Sequence, residues 1–126
     1  MCFKRKRKKD KKIVVCNHYY ELIDSKQIIN QYDPEVIEFD TCSRKTEEEY
    51  TYLVKALQSE FEEYKLKNGN IEKSNLMRIY MSDPVRVRLL ADGRYRITVG
   101  GRHRAYVAMK NKLKLLVLVM DKEEYV

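Results

Sequence analysis

The chain has 126 residues, of which 44% are apolar and 36% charged, with a formal net charge of +7. That length suits one domain with a modest core and is too short for two. The apolar share and ten tyrosines exclude outright disorder. The charge is less telling than it looks. Residues 1–12 (MCFKRKRKKDKK) carry eight Lys or Arg and one Asp, so the entire excess sits there and the remainder is balanced. Within that remainder, residues 83–114 hold nine basic and two acidic side chains, and residues 35–63 hold nine acidic and three basic. One end of the folded body is therefore basic and the other acidic.

Cys2, Cys16 and Cys42 form no C-x-x-C pair and have no His at zinc-ligand spacing, so neither a disulfide framework nor a metal site is indicated. The basic start lacks a following apolar stretch of signal-peptide length, because Ile13-Val14-Val15-Cys16 gives way to Asn17-His18. The longest apolar run, residues 115–120, is far short of a membrane span. A cytoplasmic protein without a transmembrane segment is the expectation.

In chain order, residues 1–12 read as a disordered basic arm, since like charges repel and nothing there can be buried. Lys4, Arg5, Lys6, Arg7, Lys8 and Lys9 are its candidate nucleic-acid contacts, acting through counterion release. The domain is expected over residues 13–126. Residues 19–29 (YYELIDSKQII) read as a strand, a turn at Asp24-Ser25 and a short helix ended by Asp33-Pro34. His18 reads as a surface or hydrogen-bonded histidine.

Tyr50, Leu53, Val54, Leu57, Phe61 and Tyr64 repeat at helical spacing and share one stripe. Thr46 and Glu49 form a capping box before them, and Asn68-Gly69 is a stop signal after them. A short helix over residues 76–81 follows. The period then changes to two. Val85, Val87 and Leu89 alternate with Arg86 and Arg88, and Tyr95, Ile97 and Val99 alternate with Arg94, Arg96 and Thr98, with Asp92-Gly93 as the turn. This predicts a hairpin with an apolar face and a basic face. Gly100-Gly101 ends it, residues 102–111 read as a helix packed through Ala105 and Ala108, and residues 113–120 (LKLLVLVM) read as a buried strand.

A strand that ends in two glycines and opens into a helix is suited to binding an anion. The first-turn N–H groups point outward, the helix dipole adds positive charge, and glycine leaves room for close approach. Arg102, His103 and Arg104 occupy that first turn. Arginine makes forked contacts to phosphate, and histidine donates a hydrogen bond or moves a proton near neutral pH. The same run is also compatible with an exposed helix surface after a plain hairpin stop.

Residues 82–120 (SDPVRVRLLADGRYRITVGGRHRAYVAMKNKLKLLVLVM) resemble the ParB/sulfiredoxin superfamily pattern: Asp-Pro-apolar-x-Val, a hairpin, a G-x-R-R or G-G-C-H-R turn, an Ala-containing helix and an apolar strand. The turn Gly100-Gly101-Arg102-His103-Arg104 is similar to the sulfiredoxin G-G-C-H-R in four of five places. Ser43-Arg44-Lys45 before the Glu-rich helix is similar, more loosely, to the family's Pro-Arg-Lys lead-in. The resemblance implies a small α+β domain, a mixed sheet with packed helices around a hairpin–GGRHR–helix–strand core. It implies a bound nucleoside triphosphate, CTP or ATP with Mg, whose phosphates would meet Gly101, His103 and Arg104, with Arg44 as a further contact; the geometry of the turn adds Gly100 and Arg102 to the expected phosphate contacts. Arg102 replaces the catalytic cysteine of sulfiredoxins, so their repair chemistry is excluded. It also replaces an acidic residue common in ParB proteins, which argues against metal-assisted hydrolysis.

The leading expectation is a ParB-like nucleotide- or phosphate-binding domain associated with DNA. One alternative is a non-enzymatic accessory protein that binds DNA without regard to sequence. The other is a ParB-like nuclease or phosphotransferase with His103 as its catalytic acid or base, for which Asp83 and Asp92 are the nearest acidic residues in sequence.

Overall fold

The computed structural model describes residues 13–15, 18–29, 34, 38–39, 44–67 and 74–120. The arm contacts at Lys4, Arg5, Lys6, Arg7, Lys8 and Lys9, the Asn68-Gly69 stop signal and Asp33 lie outside the described residues. The elements are β1 (Ile13–Val15), β2 (His18–Asp24), a 3₁₀ turn (Ser25–Gln27), α1 (Glu47–Lys67), α2 (Asn75–Ser82), β3 (Arg86–Leu89), β4 (Tyr95–Val99), α3 (Arg102–Asn111) and β5 (Lys114–Met120). Together they form an α+β fold, with a mixed sheet in the order β1-β2-β5-β3-β4.

β5 is the centre of the sheet, antiparallel to β2 and parallel to β3. Leu115, Leu116, Val117, Leu118 and Val119 are all buried, so both faces of this strand are covered. That is why its sequence is a continuous apolar run rather than an alternating one. A parallel pair needs a crossover, and the chain makes it through β4 and α3. The segment from β3 to β5 thus has the hairpin, Gly-Gly, helix and strand order expected from the sequence.

The hairpin alternates largely as its pattern predicts, with Val87, Tyr95 and Ile97 buried, Arg96 and Thr98 exposed, and Arg86 and Arg88 half-buried, but Leu89, expected on the apolar face, is exposed at the end of β3 next to the loop. Its loop differs in detail from a two-residue turn. Leu90 N–H donates to the Arg94 carbonyl at 2.8 Å and Gly93 N–H donates to the Leu90 carbonyl at 3.0 Å, which leaves three residues in the loop, with Gly93 at φ 89°. Asp92 accepts from the Arg94 backbone at 3.0 Å and from its Nε at 2.9 Å, and these bonds hold its carboxyl below the ordinary range.

α1 starts at the expected capping box. Thr46 N–H donates to Glu49 Oε1 at 2.8 Å and Glu49 N–H donates to Thr46 Oγ1 at 3.1 Å. Val54, Leu57 and Phe61 are buried, and Tyr50, Leu53 and Tyr64 pack at the edge of the same core. Ser74 caps α2 by accepting from Met77 N–H at 3.1 Å. The helix expected after Asp24-Ser25 is shorter than predicted. It is one 3₁₀ turn, after which Ile28 bridges Tyr95 and the Ile29 N–H donates to the Tyr95 carbonyl at 3.0 Å. Pairing to the hairpin outcompetes a second turn of helix there.

Candidate functional site

The site begins with two successive left-handed residues, Gly100 at φ 67° and Gly101 at φ 80°. Gly101 caps α3, and its carbonyl accepts from Ala105 N–H at 2.8 Å. A Cβ on Gly101 would lie 2.6 Å from Val85 Cγ1 and 2.7 Å from Cγ2, closer than side chains approach. Only glycine satisfies both the dihedral and the space. Val85 is fully buried and cannot withdraw: its N–H donates to Tyr80 Oη at 3.2 Å and its carbonyl accepts from Leu118 N–H at 2.8 Å. The Asp83-Pro84-Val85 segment is therefore a wedge that fixes the start of α3. Gly100 is less confined, its nearest neighbours being Asp83 Oδ1 and the Pro84 carbonyl, each 3.8 Å from an added Cβ.

Arg104 projects from the first turn of α3 onto the end of α2. Its Nη1 donates to the Asp83 carbonyl at 3.0 Å, and its guanidinium carbon lies 5.6 Å from the centre of the Tyr80 ring. Such cation–π contact is attractive on its own account. Nη2 is 4.0 Å from Asp83 Oδ2, too far for a hydrogen bond. Tyr80 is in turn fixed by donating to the Leu116 carbonyl at 2.6 Å. Burial pushes its hydroxyl well above the ordinary tyrosine range, against the pull of the Val85 N–H and then of Arg104 and Arg86, so it stays a donor. The chain of contacts β5, Tyr80, Arg104 ties the guanidinium to the centre of the sheet.

His103 sits in an aromatic cluster. Its ring stacks on Tyr50 at 5.0 Å between centres and 8° between planes, and meets Phe39 at 5.5 Å and 58°. Phe39 also packs on Tyr50 and edge-on to Tyr106. The flat stack against α1 restricts the imidazole's rotation, so a part in proton transfer falls to it only at this fixed orientation. Tyr95 and Tyr106, the tyrosines nearest the basic end, are buried in the core and offer no face for base stacking.

These elements surround a groove of about 600 Å³. Gly101, Arg102, His103 and Arg104 line one side, Arg44 and Lys45 come from the lead-in to α1, and Tyr50, Leu53, Leu57, Leu76, Ile79, Tyr80 and Asp83 complete the wall from α1 and α2. The groove thus joins a basic rim to an apolar wall. Of the residues singled out in the sequence, Gly101, Arg102, His103, Arg104 and Arg44 converge here, although Arg44 is remote in the chain, whereas Gly100 is not among the lining residues. Arg102 is exposed, His103 is half-buried, and the Arg104 side chain is nearly buried.

Lys45, Asp83 and Tyr80, outside the expected phosphate contacts, also line the groove. Lys45 adjoins Arg44 and was legible as part of the same basic pair. Asp83, among the nearest acids in sequence, lines the same groove as the turn, and its side chain is 80% exposed. Tyr80 carried no signal beyond its place in a short apolar helix.

Fold and groove together define a small α+β domain with a cationic groove at the N-terminus of a helix. No protein-family model, curated protein or solved structure matches the chain. Among the described residues, no helix is long and apolar enough to cross a membrane.

Proposed function

We propose that this protein binds a phosphate-bearing ligand of nucleotide size, a nucleoside triphosphate such as CTP or ATP, and that it is a divergent relative of the ParB/sulfiredoxin proteins. The observation that carries the reading is the convergence of Arg44 and Lys45 with the Gly101–Arg104 turn on one groove. A helix N-terminus flanked by several cations favours anions. The groove volume of about 600 Å³ lies within the range common for small-molecule sites. The apolar wall beside the cations suits a ligand with a flat or apolar part attached to its phosphates. Arg104 is the principal phosphate contact, since it is already oriented and loses little freedom on binding.

Calorimetry with CTP, ATP, GTP and UTP, with and without magnesium, tests this directly. Saturable binding of at least one triphosphate is expected, weakened in Arg44→Ala and Arg104→Ala. Absence of heat with all four would remove the proposal.

A second reading concerns DNA. Arg88 stands directly opposite Arg96 on the hairpin, with Arg86 further along the same strand. Arginines clustered on one face of a hairpin concentrate positive charge, which suits contact with a polyanion. This reading predicts sequence-independent DNA binding that weakens steeply with salt and drops on removal of residues 1–12. Salt-insensitive retention would count against it.

A further inference from the structure

We propose that Asp83 is a resident counter-anion of the groove, a specificity residue that weakens the binding of small free anions at Arg104. The proposal rests on the phosphate-binding reading above and concerns which anions that site accepts.

Two parts of Asp83 act on Arg104 separately. Its main-chain carbonyl accepts from Nη1 at 3.0 Å, and this bond, with the Tyr80 ring beneath, sets the orientation of the guanidinium. The carboxylate is 4.0 Å from Nη2 and adds no hydrogen bond. Orientation therefore does not depend on the side-chain charge. The Arg104 side chain is only 11% exposed whereas that of Asp83 is 80% exposed, so the carboxylate stands on the solvent side of a nearly buried cation. A phosphate approaching Arg104 from the groove comes up against that negative charge. Asp83 is also the one acid among the described residues that line the groove, which Arg44, Lys45, Arg102 and Arg104 line as well.

The consequence follows from Coulomb's law at short range. A small anion gains Arg104 but meets Asp83, and the two effects offset. A ligand that reaches several cations at once, or brings a hydrogen-bond donor or cation to the carboxylate, gains more than it loses. Asp83 thus biases the groove against free phosphate and toward larger phosphoesters.

The test compares wild-type protein, Asp83→Asn and Asp92→Asn, titrated with inorganic pyrophosphate and with ATP by calorimetry. Asparagine at position 83 keeps the carbonyl that holds Arg104 and removes only the charge. Asp92 lies in the distant hairpin loop, where asparagine is also a turn residue, so its replacement controls for net charge. Pyrophosphate is expected to bind Asp83→Asn about three- to tenfold tighter than wild type, as suits a half-exposed charge contact. Asp92→Asn should remain within about twofold of wild type. Equal tightening in both variants would reduce the effect to net charge and overturn the proposal. Weaker binding by Asp83→Asn would overturn it too, by making the carboxylate a ligand contact. If neither pyrophosphate nor ATP binds any of the three folded proteins, the phosphate-binding reading itself fails.

Discussion

The two walls of the groove are built in opposite ways. The α3 wall is contiguous: Gly101, Arg102, His103 and Arg104 follow one another, and local geometry puts them at one helix start. The facing wall is assembled from Arg44, Lys45, Tyr50, Tyr80 and Asp83, which meet only because α1 and α2 pack beside α3. The first wall supplies a dipole and charges in a fixed pattern. The second supplies what holds them still: a ring under Arg104, a carbonyl on its Nη1, and a ring stacked on His103. A local motif becomes a defined site only when remote residues immobilise its side chains.

The largest expected effect lies at the junction of the two walls. Gly101→Ala forces a Cβ into Val85 and strains a φ of 80°. A loss of about 2–4 kcal/mol is expected from overpacking and strain together. Gly100→Ala, strained at φ 67° but with nothing closer than 3.8 Å, should lose about 1 kcal/mol. Denaturant melts of the two variants measure the difference, and equal losses would show that Val85 is not a rigid wedge.

Next comes the platform. Tyr80→Phe keeps a ring beneath Arg104 but leaves the Leu116 carbonyl and the Val85 N–H without their buried partner. A destabilisation of about 1–3 kcal/mol is expected by thermal or denaturant unfolding. Pyrophosphate affinity at a temperature where the variant is folded should change little, because the ring remains.

On the contiguous wall, Arg104→Ala should weaken triphosphate binding at least tenfold, about 1.4 kcal/mol, with a smaller effect on unfolding. Unchanged affinity by calorimetry would mean that Arg104 serves only to tie α3 to Asp83 and Tyr80.

The smallest effect belongs to the start of α1, behind Arg44 and Lys45. Thr46→Ala removes the hydroxyl that accepts from the Glu49 N–H. It should cost about 1 kcal/mol of stability. Its influence on the groove is readable as a modest loss of pyrophosphate affinity, since the lead-in to α1 carries both cations of that side.

The stripe Tyr50 to Tyr64, the Thr46 capping box, the hairpin alternation and the apolar run of β5 were all legible because each is a local pattern with a fixed period or spacing. The Gly-Gly turn was legible for the same reason, and Arg44 through a resemblance in its lead-in. Where sequence reading overreached, the cause was non-local. The turn after Asp24 stops at Gln27 because Ile28 and Ile29 pair with Tyr95, remote in the chain.

The order of elements from α1 to β5, most of their buried positions and the concentration of positive charge around residues 100–104 follow from the chain itself, since periodicity, capping and glycine conformations act within a few residues. The short strand β1 and the exposure of Leu89 left no such signal. The tertiary structure alone decided that Asp83 and Tyr80 would hold Arg104, that Tyr50 and Phe39 would pack on His103, and that Lys45 would face the turn. Those contacts depend on how α1 and α2 pack against α3 and β5, and packing of remote surfaces leaves no spacing to read.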